Sequence, residues 1–495
     1  MVTTTAGLGR NAATQRRLWD LGLLTLVVVA ATVAVAHPLW NHGGVPPWLP
    51  VAANVDDWTY LFWTTGYAHH ELIFTKPVIA GGASLHSAEA VTFVYCLLGW
   101  LLQIDDVDFP SAVRVMSLLA TGFAGYYAAR AWLPRTWSLA AAALLVAGPF
   151  VYWGKPFFGI FRALMGDLSG ASLQSARLYS CCSVPFFLVS VGAASRLLRD
   201  RVRWTPRKSS PVLIGAVSSA VLFTGTPHWS GYFIVFLPLS VAFTFLRQRT
   251  WGVWPAVMMA PAGVVLAMKS LAGRELSAQP YFHDWAQHAW AVFSRHMEYP
   301  APWQVVVLVV VSVAVLWGKR SSAWLFVLAG ALATWVSLNQ NVVSGVSIEN
   351  DHFYQAAGPV LTLGWLVAAT RARIQGRFPL RRLTTWSAAP LAVLVLLDVG
   401  VGARVANLWL RTLPNKDGTD MDVLRRIPSR AAKAALAGAL PRGTAVCGAG
   451  AVGLMAPLFG WTLVHFQRLP FWSPMPTQEV ALRRALCFAL GGGSA

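Results

Sequence analysis

The stretch WDLGLLTLVVVAATVAVA, residues 19–36, is an almost uninterrupted apolar run. A helix needs about 20 mostly apolar residues to cross the hydrocarbon core of a bilayer, so this run predicts a membrane-spanning helix. It carries no small-residue cleavage site, which favours a membrane anchor over a cleaved signal peptide. Similar runs recur along the chain and predict about eleven spans in all, the others at 111–129, 136–153, 180–195, 211–226, 231–246, 253–270, 303–318, 322–337, 354–370 and 386–403.

The composition supports this interpretation. The 495 residues are 56% hydrophobic and only 12% charged, whereas soluble domains carry about 25% charged residues. Such a surface would make a soluble enzyme aggregate, and a disordered chain would need more charge. The sequence therefore predicts an all-α polytopic membrane protein.

The net charge of +19 is explained by topology. Most basic residues before position 404 fall in the loops between alternate predicted spans, on the side of the N-terminus. The positive-inside rule then places the N-terminus in the cytoplasm and the C-terminus outside, so no nucleic-acid partner is needed to account for the charge. We expect a bacterial plasma membrane, with the active face extracytoplasmic.

Three regions follow from this topology. We predict a cytoplasmic N-terminus over residues 1–18 and a transmembrane module over 19–403 that includes a long first outer loop, 37–110. Within that loop, residues 91–104 are too short to span comfortably and predict a helix at the outer interface.

Residues 404–495 contain no further span and predict a small extracytoplasmic α/β domain. Residues 421–440 have a helical pattern, and GTAVCGAG at 443–450 is typical of a short buried strand with turn glycines. Cys447 and Cys487 both lie in this tail and could pair, although sequence alone does not decide the geometry.

Chemically active residues concentrate on the outer side. All 11 His residues fall there or at its edge. Asp56 and Asp57 form an adjacent pair just before an aromatic interfacial segment. One carboxylate could take a proton from an acceptor hydroxyl while the other orients it or binds a metal; the alternative is a simple helix N-cap.

An early acidic pair, interfacial helices, about ten more spans and an outer C-terminal region resemble the GT-C superfamily of membrane glycosyltransferases. Asp56-Asp57 stands where that family has its acidic pair, and LPRGTAVCGAGAVGLMAPLFG (440–460) is similar to the tail of many bacterial members. FTKPVIAGGA (74–83) stands where protein mannosyltransferases carry a His-Pro-Pro segment, but it keeps only a Pro. The resemblance implies a polyprenyl-phosphate-sugar donor and inversion at the anomeric carbon, with Asp56 or Asp57 as the base.

Cationic side chains in the outer loops are candidates for the donor phosphate. The resemblance implies that the loop at 271–302 closes over the donor. Within it Arg274 is the preferred phosphate partner, with Lys269 behind it, and Lys76 and His352 are further candidates. The alternative for this loop is an ordinary interfacial helix with snorkelling side chains.

A second polar cluster, formed by Glu349, Asn350, Asp351 and His352, precedes the span at 354–370. Ionisable groups at a membrane edge are costly unless they serve a function, although helix capping would account for one or two of them. Glu349 and Asp351, with His283, are candidates for binding the acceptor or a metal. A divalent cation would suit such ligands, but the sequence leaves the cofactor open.

Three functions are compared on these grounds. The first is a glycosyltransferase acting on a glycan, lipid or protein acceptor. The second is an O-antigen-type polysaccharide polymerase or ligase, which would rely on outer Arg and His residues. The third is a lipid or polysaccharide transporter, which usually shows repeated halves and ionisable groups at mid-span.

Overall fold

A computed structural model of the protein describes the chain in segments. These are residues 5–40, 67, 70, 90–104, 109–153, 155–168, 178–200, 206–225, 227–248, 256–261, 263–264, 267–268, 271, 274, 278, 280, 291–316, 322–348, 352–374, 388–412, 439–441, 444–447, 462–465 and 477–490.

This part of the chain is mostly helical. Its helices are α1 (Thr5–Trp40), α2 (Ala90–Leu101), α3 (Phe109–Ala129), α4 (Arg135–Ala147), α5 (Pro156–Leu164), α6 (Leu178–Arg199), α7 (Pro206–Thr224), α8 (Pro227–Gln248), α9 (Trp303–Leu316), α10 (Ala323–Leu338), α11 (Asn341–Ser344), α12 (Phe353–Ile374), α13 (Ala388–Thr412) and α14 (Thr477–Leu490).

Within the described segments, strand structure is limited to two short pairs. β1 (Ala291–Val292) is antiparallel to β2 (Ser347–Ile348), and β3 (Ala445–Cys447) is parallel to β4 (Thr462–His465).

Helices lie at the positions of all the predicted spans except 253–270, of which only part is described. The predicted span at 136–153 is divided, because α4 ends at Ala147 and a 3-10 turn follows at Val151–Trp153. Gly148 takes an extended conformation, with ψ 105°. The next residue is Pro149, which disfavours helical backbone at the residue before it. The segment predicted as an interfacial helix, 91–104, is helical over most of its length, as α2. The predicted helix at 421–440 lies almost wholly outside the described residues.

Much of the buried apolar surface of the described helices lies in two clusters. The larger joins α3, α6, α8, α10 and α12, and its fully buried side chains include Tyr152, Phe187, Trp229, Tyr232 and Phe326. The smaller lies where α1, α4 and α13 meet, with contributions from α3 and α5.

Large apolar side chains also cover parts of the outer helix surfaces. Leu26 of α1, Val217 of α7 and Leu396 of α13 are 66%, 67% and 70% exposed. In the part of the chain that the structure describes, three helices are long and apolar enough to cross a membrane, over Leu18–His37, Cys182–Arg199 and His228–Arg247. Exposed apolar helix faces of this kind suit contact with lipid, and the protein is a membrane protein.

Three arginines hydrogen-bond main-chain carbonyl groups at one end of the helical bundle. Arg196 donates to the carbonyl oxygens of Tyr127 and Gly192, both at 2.8 Å, and its guanidinium lies 3.7 Å from the Tyr127 ring centre. Arg199 donates to Ala131 O at 2.8 Å, and Arg247 to Leu198 O at 2.7 Å. The last carbonyls of a helix lack partners within the helix, and its negative dipole end attracts cations. These arginines therefore join the C-terminal ends of α3, α6 and α8.

The tail is held by a covalent bond. Cys447 of β3 and Cys487 of α14 form a disulfide with their Cα atoms 5.2 Å apart. Arg483 of the same helix bonds Glu479 and the carbonyl of Val464 in β4. The disulfide answers the question of pairing that the sequence left open. The strand predicted at 443–450 is present as β3, but its prediction as buried was wrong, because Ala445 is exposed and Val446 and Cys447 are half-buried.

Two glycines of α13 provide a matched test of close helix packing. A Cβ on Gly402 would lie 2.2 Å from Ala147 O, whereas one on Gly400 would meet no atom within 4 Å. Alanine gains about 1 kcal/mol over glycine inside a helix, but overpacking costs about 1–3 kcal/mol. We expect Gly402→Ala to lower the thermal unfolding temperature in detergent and Gly400→Ala to keep or raise it. Equal behaviour of the two variants would contradict the packing of α13 against α4.

Candidate functional site

Two histidines meet where the N-terminal ends of two helices converge. His228 is the second residue of α8, and His352 directly precedes α12. Their imidazole rings stack with centroids 5.0 Å apart and an interplanar angle of 25°. Pro227 occupies the first position of α8, where its fixed φ suits a helix start and its missing N–H costs nothing. We call this arrangement the histidine pair.

Aromatic side chains support the histidine pair. Phe353 lies edge-on to His228, with centroids 5.4 Å apart, and approaches closely because Gly231 has no side chain. Trp229, beside His228 in the chain, is buried and packs against Tyr152 and Phe187. The imidazoles therefore lie beside buried aromatic side chains of the core. His228 and His352 are both half-buried.

The electrostatics of this position favour an anion. The first four N–H groups of a helix lack partners within the helix, and its N-terminus carries about half a positive charge. Two such ends converge here, and each imidazole can donate one or two N–H groups. Two imidazolium charges this close would repel each other, and a bound anion would relieve that repulsion. The chemistry matches a phosphate or another oxyanion.

Residues 291–300, part of the predicted outer loop 271–302, are bonded to the turn that leads to His352. We call this segment the tied loop. β1 pairs with β2 through Ala291–Ile348 and Val292–Ser347. The side-chain amide of Asn341, which is fully buried, donates to His296 O at 2.7 Å.

Asn339 strengthens the same attachment. Its side-chain oxygen accepts from Tyr299 N at 2.8 Å, and its amide donates to Tyr299 O at 2.9 Å. The segment 291–300 is therefore fixed beside α12, the helix that His352 precedes. It is the end of the loop that we expected to cover a donor.

Tyr67, which belongs to the predicted first outer loop, is held at the same end of the bundle. The ring of Tyr67 stacks on Phe109 at the start of α3, with centroids 3.7 Å apart. Trp100 donates to Tyr67 O at 3.0 Å. The same helix as Trp100, α2, packs through Val91 against Gly225, three residues before His228. The chain ten residues beyond Asp57 is thus fixed to α2, which contacts Gly225 three residues before His228.

Of the candidates from the sequence, the structure describes two. His352 belongs to the histidine pair, and Arg274 is exposed. The others lie outside the described residues, namely Asp56, Asp57, Lys76, Lys269, His283, Glu349 and Asp351. Within the described ranges, no group of three or more His, Cys, Asp or Glu residues could hold a metal ion.

His228 was not predicted as a site residue. In the sequence it appears as TPHWS between two spans, and the signal available was a His directly after the Pro that starts a helix. Asn339 and Asn341 were also missed, because asparagines after an apolar run are typical of any turn.

Comparison with known proteins gives a likeness of structure only. No protein-family model matches the sequence, and no curated protein matches it. The crystal structure of the Archaeoglobus fulgidus oligosaccharyltransferase tethered with an acceptor peptide containing the NVT sequon matches with a TM-score of 0.51 at 10% identity. The match covers 95% of this chain and 68% of that one.

The archaeal oligosaccharyltransferase from the same organism in complex with an inhibitory peptide and a dolichol-phosphate gives a TM-score of 0.49 at 11% identity. It covers 90% of this chain and 64% of that one, so the chain spans about two thirds of the length of these enzymes. The first of these likenesses shows the fold alone: the chain shares the fold of the archaeal oligosaccharyltransferase.

Proposed function

We propose that the protein is an integral membrane glycosyltransferase. It transfers a sugar from a polyprenyl-phosphate-linked donor to an extracytoplasmic acceptor, with inversion at the anomeric carbon. The observation that carries this proposal is the histidine pair at the converging N-termini of α8 and α12. A donor of this class leaves a lipid phosphate behind, and such a site binds phosphate.

The fold supports the same class of enzyme. The archaeal protein with which this chain shares its fold is an oligosaccharyltransferase, and its structure holds an acceptor peptide. A GT-C fold combined with an oxyanion site at one end of the bundle fits a transferase better than a transporter. The acceptor here is a glycan, a lipid or a protein.

The reaction then proceeds in one displacement. An acceptor hydroxyl attacks the anomeric carbon while a carboxylate, Asp56 or Asp57, takes its proton. The bond between the anomeric carbon and the phosphate oxygen breaks, and its electron pair leaves with the phosphate. His228, His352 and the two helix N-termini stabilise the negative charge that develops on the leaving group.

The remaining candidates complete the proposed site. Arg274, Lys76 and Lys269 are further partners for the donor phosphate. Glu349, Asp351 and His283 would bind the acceptor, or a divalent cation if the reaction uses one.

We further propose about eleven spans in the plasma membrane, with residues 1–18 cytoplasmic, the module 19–403 in the membrane and the tail 404–495 outside. The Cys447–Cys487 disulfide supports this sidedness, because disulfides persist in oxidising compartments and are rare in the cytosol.

Replacing either member of the histidine pair tests phosphate binding. We expect His228→Ala and His352→Ala each to raise the dissociation constant for a short-chain polyprenyl phosphate about tenfold, which corresponds to about 1.4 kcal/mol. Tryptophan fluorescence of the purified protein in nanodiscs would report binding. His296→Ala is the matched control, because His296 is exposed on the tied loop. An equal loss in the control, or no loss in the pair, would contradict the proposal.

Replacing the acidic pair tests the base. We expect Asp56→Asn or Asp57→Asn to lower the rate of sugar transfer from the lipid-linked donor by about 10²–10⁴-fold, with donor binding retained. Asp167→Asn serves as a control, because Asp167 is an exposed carboxylate paired with Arg162. Normal transfer in both acidic-pair variants would instead favour a polymerase or ligase.

The disulfide tests sidedness. In intact cells we expect mass spectrometry after rapid alkylation to find the linked Cys447–Cys487 peptides. A membrane-impermeant phosphine reductant should free both thiols. Recovery of both cysteines as alkylated thiols before reduction would place the tail in the cytosol and contradict the proposed orientation.

A further inference from the structure

A buried acid interrupts the apolar run of α13. Asp398 lies within LAVLVLLDVGVGA, residues 391–403, and its side chain is fully buried, with 0% exposed. Among the described residues, no N–H or O–H group donates a hydrogen bond to either of its carboxyl oxygens. An ionisable group inside a membrane segment is costly and usually has a role.

The carboxyl group points at the end of a neighbouring helix. Its Oδ2 atom lies 2.5 Å from the position that a Cβ on Gly148 would occupy, and the carbonyl oxygen of Leu144 lies equally close to that position. One turn along α13, Gly402 approaches Ala147 O in the same way. Asp398 therefore faces the C-terminal end of α4, where main-chain carbonyl oxygens gather.

The described charged side chains on α13 and on the helices packed against it do not pair with Asp398. Arg135 of α4 pairs with Asp20 of α1 at the far end of α4, and Arg162 of α5 pairs with Asp167. On α1 and α13, His37 and Arg404 are exposed. Lys155, at the start of α5, does not hydrogen-bond Asp398. The apolar cluster at this junction of α1, α4 and α13 includes Ala147, Phe150, Val401 and Val405.

An ionised carboxylate would be opposed twice in this position. It would lose its hydration without gaining a donor, and it would face the negative end of the α4 dipole. A protonated carboxyl has the opposite balance, since it can donate its O–H to a main-chain carbonyl at the end of α4. A carbonyl oxygen has two lone pairs, so it can accept this bond even where it already accepts another, as Leu144 does from Gly148 N and Leu145 from Tyr152.

We infer that Asp398 is a proton-binding site, held as a neutral carboxylic acid whose O–H is donated to a main-chain carbonyl in the 144–147 turn. The bound proton joins α13 to α4. It thereby fixes the turn that leads to Val151–Trp153, against which Gly358 of α12 packs with its Cβ position 2.1 Å from Val151 O. This inference does not rest on the proposed function.

Infrared spectroscopy tests the bound proton directly. At mildly alkaline pH, we expect the difference spectrum between the wild type and Asp398→Asn to show the carbonyl stretch of a protonated carboxylic acid, which shifts in heavy water. Asp167→Asn is the matched control and should remove only carboxylate bands. A difference spectrum for Asp398→Asn that contains only carboxylate bands would overturn the inference.

Thermal unfolding in detergent gives an independent test. A neutral acid and an amide are similar donors, so Asp398→Asn should unfold within about a degree of the wild type, while Asp398→Leu should unfold several degrees lower. If Asp398 were ionised, Asp398→Asn would remove an unpaired charge and unfold clearly above the wild type, which would refute the proposal. The infrared result stands even if the leucine variant does not fold.

Discussion

The ends of the helices constrain this protein more than their middles do. Within an apolar environment each helix satisfies its own interior backbone groups, but four N–H groups at one end and four carbonyls at the other need partners elsewhere. At one end of the bundle Arg196, Arg199 and Arg247 bind carbonyls of α3, α6 and α8. At the opposite end the N-termini of α8 and α12 converge on the histidine pair.

This division gives the bundle two chemically different ends. Long basic side chains suit the carbonyl end because they reach across to neighbouring helices while their charge complements the dipoles. The N–H end favours anions, and it is also where the segment 291–300 is tied down by Asn339 and Asn341. An enzyme that holds a lipid phosphate and excludes water from the reaction needs both an anion-binding helix end and a loop fixed beside it.

The proposed site is assembled from parts of the chain that are far apart. His228 and His352 are separated by more than a hundred residues, and the tied loop comes from between them. A local pattern could not associate them, because their proximity depends on how α8 and α12 pack. The polar cluster before the span at 354–370 did indicate His352, since ionisable groups at a helix start stand out against apolar neighbours. His228 had no such cluster around it. Asp398 was hidden for another reason: a single acid barely alters the apolar character of a long run.

The sequence by itself determined that the chain is a helical membrane protein and where most of its helices lie, because apolar length and charge distribution act locally and leave a direct record. Tertiary structure alone decided which helix ends meet. That includes the stacking of His228 on His352, the facing of Asp398 toward α4 and the bond between Cys447 and Cys487. Each depends on distances across the packed bundle, and spacing along the chain does not encode them.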